Sequence, residues 1–137
     1  MEVVYYPKEK NCYANRDIVS WAIGNKLDYI CEIHRNAGGG YGYETLVKGG
    51  ADSTDKAIHN AIVGLGFRDR GIKLRTDLYN MNAINGKVSY SLIEIGFIDS
   101  TDDNNLFDKN LEAIGKAIYS ACESTGKTRV GIICGLS

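Results

Sequence analysis

The feature that most restricts this chain is an alternation. Short β-branched and aromatic runs, each one strand long, are separated by longer stretches whose apolar residues recur at helical spacing. Val3–Tyr6 ends at Pro7, and Leu27–His34 (LDYICEIH), Tyr41–Val47 and Val88–Phe97 (VSYSLIEIGF) read as further strands. Between them, Asn15–Lys26 places Ile18, Trp21, Ala22 and Ile23 on one helical face. Ser53 or Thr54 caps a second helix running to about Leu65, with Asp55 in its first turn, where a carboxylate suits the helix dipole. Leu106–Cys122 carries Leu106, Leu111, Ile114, Ala117, Ile118 and Ala121 on one stripe. Asp77–Met81 reads as a short strand, Asn82–Lys87 as a polar loop turning at Asn85-Gly86, and Asp99–Asn105 as an acidic loop. Arg129–Cys134 reads either as a last strand or as the opening of a linker. Strands alternating with helices of ten or more residues specify an α/β fold: a twisted, largely parallel sheet flanked by helices on both faces.

Composition narrows the function classes. The 137 residues suffice for one domain with a real core. That domain is expected over residues 1–126, with 127–137 as a tail or linker start. A formal charge of -1 offers no general attraction to nucleic acid. No apolar run approaches the roughly 18 residues of a membrane span, and the first residues, MEVVYYPKEKNCYANRD, lack the pattern of a signal peptide. The four cysteines form no CxxC pair, which argues against a zinc knuckle, and Cys31 inside its apolar run reads as a buried free thiol.

In open α/β sheets, sites form beyond the carboxyl ends of the strands. That rule selects His34 with Asn36, ahead of Gly38-Gly39-Gly40, and Glu94 near the end of VSYSLIEIGF. His34 suits a metal or a proton transfer, or is satisfied by a neighbouring carbonyl. It shares a strand face with Glu32 and Ile30. Glu94 has apolar neighbours on both sides. A buried carboxylate needs a partner, a metal or a raised pKa, and such groups concentrate at working sites. Arg68, Arg70, Lys73 and Arg75 surround one carboxylate, Asp69. They form either an anion-holding segment or a solvated loop. His59 reads as a helix-surface residue.

Four segments in order, Ile33-His34-Arg35-Asn36-Ala37, Gly42-Tyr43-Glu44, Arg68-Asp69-Arg70-Gly71-Ile72-Lys73 and Leu92-Ile93-Glu94-Ile95-Gly96-Phe97, resemble the zinc-dependent N-acetylmuramoyl-L-alanine amidases of the amidase-3 type, found in bacterial autolysins and phage endolysins. The resemblance covers about Asp28 to Cys122. It implies hydrolysis of the amide between N-acetylmuramic acid and L-alanine in peptidoglycan. It makes His34 a zinc ligand and Glu94 the catalytic acid/base, and it sets Asn36 and Arg70 at the substrate groove. Zinc would lower the pKa of a bound water, and a neighbouring Glu would pass its proton to the leaving amine.

The chain departs from the family pattern ahead of His34. A His in a G-H loop and a Glu on the following helix, which the family uses as further zinc ligands, have no counterpart. The expectation is therefore an N-terminally incomplete domain, short by a strand-helix unit, with the remaining ligands supplied by that segment or by a partner chain. Two other readings stay open. One is a zinc-deficient module that binds wall fragments without cutting them. The other is a small α/β module holding an anionic ligand at GFRDRGIK. Without a signal peptide, the expectation is action at the wall in the manner of an endolysin, or export by another route.

Overall fold

A computed structural model describes residues 1–135. The elements follow in the order β1 (Glu2–Tyr5), α1 (Cys12–Asn15), α2 (Ile18–Gly24), β2 (Tyr29–Asn36), β3 (Tyr43–Val47), α3 (Ser53–Val63), β4 (Asp69–Leu74), α4 (Tyr79–Ile84), β5 (Ser89–Phe97), α5 (Thr101–Lys109), α6 (Leu111–Ser124) and β6 (Arg129–Cys134). The strands form one sheet in the order β1-β6-β2-β5-β3-β4. Every neighbouring pair is parallel except β3 with β5.

Alternate residues of the central strands feed two cores. On one face Tyr29, Cys31, Ile93, Ile95 and Ile132 pack against α3 and α6 through Ile58, Ile62, Ile114 and Ile118. On the other, Ile30, Leu46, Leu92 and Ile133 pack against Cys12, Ile18, Ala22, Met81 and Ile84 of α1, α2 and α4. Strands covered on both sides read as near-continuous apolar runs, as LDYICEIH and VSYSLIEIGF do. Cys31 is a fully buried free thiol, as its apolar run implies.

Several expected elements change. Asp77–Met81 is not a strand; its second half opens α4, because Leu78, Met81 and Ile84 recur at three-residue spacing and bury together. The acidic loop at 99–105 is largely the first turn of α5. Ser100 caps it, accepting from the Asp103 N–H, and Asp102 and Asp103 suit the dipole. The helix expected over Asn15–Lys26 is two helices, parted at Arg16, whose left-handed backbone (φ 52) closes α1. Asp52, not Ser53 or Thr54, caps α3, in a reciprocal box with Asp55.

Two corrections bear on function. Residues 129–134 form β6, seated between β1 and β2. The reading of 127–137 as tail or linker fails for that strand; residues 136 and 137 lie outside the described residues. His59 is not on the helix surface but 4% exposed. It faces β3, with Nδ1 at 2.9 Å from the Thr45 hydroxyl and Nε2 at 2.8 Å from Asp69.

Candidate active site

β2 and β5 run parallel with His34 opposite Glu94. β3 runs antiparallel on the far side of β5, with Glu44 opposite Glu94. Three adjacent strands, spaced about 4.8 Å apart, thus carry an imidazole and two carboxylates side by side. All three lie on the α1/α2/α4 face, continuing the line of Ile30, Leu92 and Leu46. Arg70 and Lys73, on β4, complete the row beyond Glu44.

Each group has a distinct setting. Glu32, 6% exposed, holds His34: its Oε2 lies 2.6 Å from His34 Nε2, while its Oε1 accepts from the Tyr90 hydroxyl (2.7 Å) and the Asn80 amide (3.0 Å). Burial alone would raise the Glu32 pKa, but these hydrogen bonds from His34, Asn80 and Tyr90 outweigh it and hold the carboxyl below its usual value. For His34, burial works against protonation. The bond to Glu32, with the charges of Glu32 and Glu94, prevails and raises its pKa.

Glu44 accepts from Asn36 Nδ2 at 2.7 Å and from Lys73 Nζ at 2.5 Å. Arg70 Nε stands 3.8 Å from it, too far for a hydrogen bond. The Arg70 guanidinium lies over the Phe97 ring, 4.9 Å from its centre. Glu94 differs from both other carboxylates: its Oε2 is buried and has no hydrogen-bond partner among the described residues. Burial raises its pKa; His34 and Arg75 oppose that shift, and the like charges of Glu44 and Glu32 reinforce it. The result is a carboxyl disposed to hold a proton, with a free oxygen, at the end of a strand.

The loops around this row are tied down. Asp99 accepts from the Gly38 and Gly39 N–H groups, at 3.2 and 2.7 Å. Buried Asp103 accepts from Gly42 and Phe97, at 2.9 and 2.8 Å. Beside Phe97 the β2–β5 register slips, and Gly96 takes φ 74. A Cβ at Gly96 would sit 2.9 Å from Asp103 Cβ, so both conformation and space require glycine there. On the opposite flank β6 brings main chain against His34. The Gly135 N–H donates to the Ile33 carbonyl at 2.8 Å, and a Cβ at Gly135 would stand 2.2 Å from the imidazole.

The structure therefore brings together His34, Glu94, Asn36 and Arg70, all singled out in the sequence. It adds Glu44 and Asn80, places Lys73 of the basic segment on Glu44, and gives Glu32 a direct hold on His34. Glu44 was legible by the argument that selects Glu94, since it is a carboxylate within a wholly buried strand, YETLV. Asn80 carried no signal, because its segment reads as a strand. The donors at His34 and Glu32 are of the type zinc takes, but their number falls short of the three protein ligands of a catalytic site. Among the described residues no three His, Cys, Asp or Glu side chains converge to hold a metal.

The sequence profile described as N-acetylmuramoyl-L-alanine amidase, Amidase_3, matches residues 1–124. The chain belongs to this amidase family. The Probable autolysin PH of Staphylococcus aureus (strain NCTC 8325 / PS 47) is 31% identical over 120 residues, covering 84% of this chain and 24% of that protein. Among solved structures, Cwp6 from Clostridium difficile superposes with a TM-score of 0.69 at 28% identity, over 84% of this chain and 20% of that one. The catalytic domain of the CD27L endolysin targeting Clostridia difficile gives 0.67 at 26% identity, over 90% of this chain and 71% of that one. The chain thus spans about a quarter of the autolysin and a fifth of Cwp6. The amidase-3 fold accounts for the largely parallel sheet with helices on both faces.

Proposed function

We propose that this amidase-3 chain hydrolyses the amide between N-acetylmuramic acid and L-alanine in peptidoglycan and acts at the cell wall. The observation that carries the reading is the free, buried oxygen of Glu94 beside His34. In that role Glu94 accepts a proton from the attacking water and returns it to the departing amine of L-alanine. A raised pKa suits the second step, because the carboxyl holds the proton until the amine leaves. Asn36, fixed by Glu44, and Arg70, stacked on Phe97, border the groove as substrate contacts. Arg70 and Lys73 match the carboxylates of a stem peptide.

His34 is proposed as one zinc ligand, oriented by Glu32. The described residues do not complete a three-ligand set. The shortage among the described residues also favours one alternative: a catalytically deficient module that binds wall fragments.

The test is incubation of the chain with purified walls and zinc, following new amino termini and new reducing ends. L-alanine amino termini without reducing ends are expected. Wall binding with no new amino termini supports the deficient module instead, and reducing ends would overturn both.

A further inference from the structure

The His34 imidazole sits in a notch with two walls. One is the Glu32 carboxylate, whose Oε2 lies 2.6 Å from Nε2. The other is the bare Cα of Gly135, past the end of β6. A Cβ there would stand 2.2 Å from Cε1, 2.2 Å from Nε2 and 2.6 Å from Cδ2. The one side-chain hydrogen bond of His34 among the described residues is at Nε2, and Nδ1 is left without one. We propose that Glu32, Asn80, Tyr90 and Gly135 are positioning residues for the hydrolysis, which hold the ring so that Nδ1 is the nitrogen open to the reacting groups. This rests on the hydrolysis proposed above.

Three observations carry it. The first is the allocation of the ring nitrogens. An ionised carboxylate only accepts, so the proton shared with Glu32 belongs to Nε2. The Tyr90 hydroxyl and the Asn80 amide donate to the other oxygen of Glu32, at 2.7 and 3.0 Å, so the carboxylate is oriented independently of the ring. Turning the ring over would set Cε1 against Glu32 and forfeit the bond.

The second is the cost of the arrangement. Glu32 is buried, and its charged partner within salt-bridge distance among the described residues is His34, with no lysine or arginine. Asn80 is buried too. It gives Nδ2 to Glu32, while its Oδ1 has no hydrogen-bond partner among the described residues. Polar groups buried this way cost stability, and apolar side chains often fill such positions without that loss. What the arrangement supplies is one orientation of one imidazole.

The third is the glycine itself. Gly135 is not among the residues with positive φ, so its backbone does not call for glycine. The imidazole does, because it occupies the space a Cβ would take. The Gly135 N–H donates to the Ile33 carbonyl at 2.8 Å, which fixes the Cα against the ring.

The test is NMR of the imidazole nitrogens in the full chain without added metal, at alkaline pH where histidine is neutral, together with wall hydrolysis. In the parent, His34 is expected as one tautomer, with a slowly exchanging proton on Nε2. Gly135→Ala is expected to push the ring off Glu32, mix the two tautomers and speed that exchange about tenfold, while the amide resonances of α3 and α6 stay in place. It should lower kcat on walls about 10- to 100-fold with KM kept. Tyr90→Phe, which removes one donor behind Glu32, should move the same signals in the same direction by less, and decides the matter if Gly135→Ala fails to fold. A proton on Nδ1 in the parent overturns the proposal. So does an unchanged tautomer and exchange rate in the folded variants, or a rise in KM with kcat kept. An Nε2 proton in a chain that cuts no wall keeps the hold on the ring and removes the hydrolysis. Hydrolysis by a chain whose His34 proton sits on Nδ1 does the reverse.

Discussion

The two histidines of this chain, each preceded by Ile but one on a strand and one on a helix, do opposite things. His59 has both ring nitrogens bonded, to Thr45 and Asp69, and its ring meets Tyr43 edge-on with centroids 5.1 Å apart. It has nothing left to offer a ligand. His34 has one nitrogen on Glu32, keeps about a quarter of its side chain exposed, and stands at a strand end beside the unpartnered Glu94. The same division separates two buried carboxylates. Asp55 is used within the fold, accepting from the Asp52 N–H and from the Tyr29 hydroxyl, whereas Glu94 leaves one oxygen free. Burial alone does not mark a working group. Burial with an unspent bonding capacity at the carboxyl end of parallel strands does.

Glu94→Gln tests this division with the largest expected effect. It should reduce release of L-alanine from walls about 10²- to 10⁴-fold, while the melting temperature stays level or rises, since a neutral amide suits an apolar setting. An unchanged rate would place the acid/base elsewhere.

Asp55 should show itself through stability instead. Burial pushes its pKa up to about 6 from 3.8. The folded chain then holds a proton that the unfolded chain has already lost. Stability from this group is complete below about pH 4 and is lost as pH rises to about 6, a change of about 2–3 kcal/mol. Denaturant melts at pH 4 and pH 7 measure it, and Asp55→Asn should flatten the difference without touching hydrolysis.

Arg70→Ala should have the smallest effect, about a tenfold rise in KM with kcat nearly kept, because Arg70, over the Phe97 ring, is proposed to bind substrate away from the reacting atoms. A fall in kcat with constant KM would instead give it a role in the transition state.

Much of this architecture is legible in the residues. The alternation of β2, β3 and β5 with α3 and α6 dictates the layers, and the strand-end rule points to His34 and Glu94. What escapes is set by tertiary context. Tyr79–Ile84 is helical because its apolar triplet finds a sheet to cover, which no local pattern announces. The acidic run from Asp99 looks like a solvated loop, but Asp99 and Asp103 are used to tie down backbone N–H groups around the site. His59 reads as exposed because its partners, Thr45 and Asp69, are distant in sequence. The placement of β6 between β1 and β2 depends on a pairing across about 100 residues, and with it comes the backbone that presses on His34.

The histidine comparison is tested most directly by measuring wall hydrolysis and thermal unfolding together for His34→Ala and His59→Ala. His34→Ala should abolish release of L-alanine and cost about 1–3 kcal/mol in stability, because the buried Glu32 carboxylate loses one hydrogen-bond donor but keeps Tyr90 and Asn80. His59→Ala should cost about 2–4 kcal/mol in stability, through lost packing and buried hydrogen bonds, yet hydrolyse walls wherever it remains folded. Hydrolysis that survives the loss of His34, or vanishes in folded His59→Ala protein, would contradict the assignment of the site.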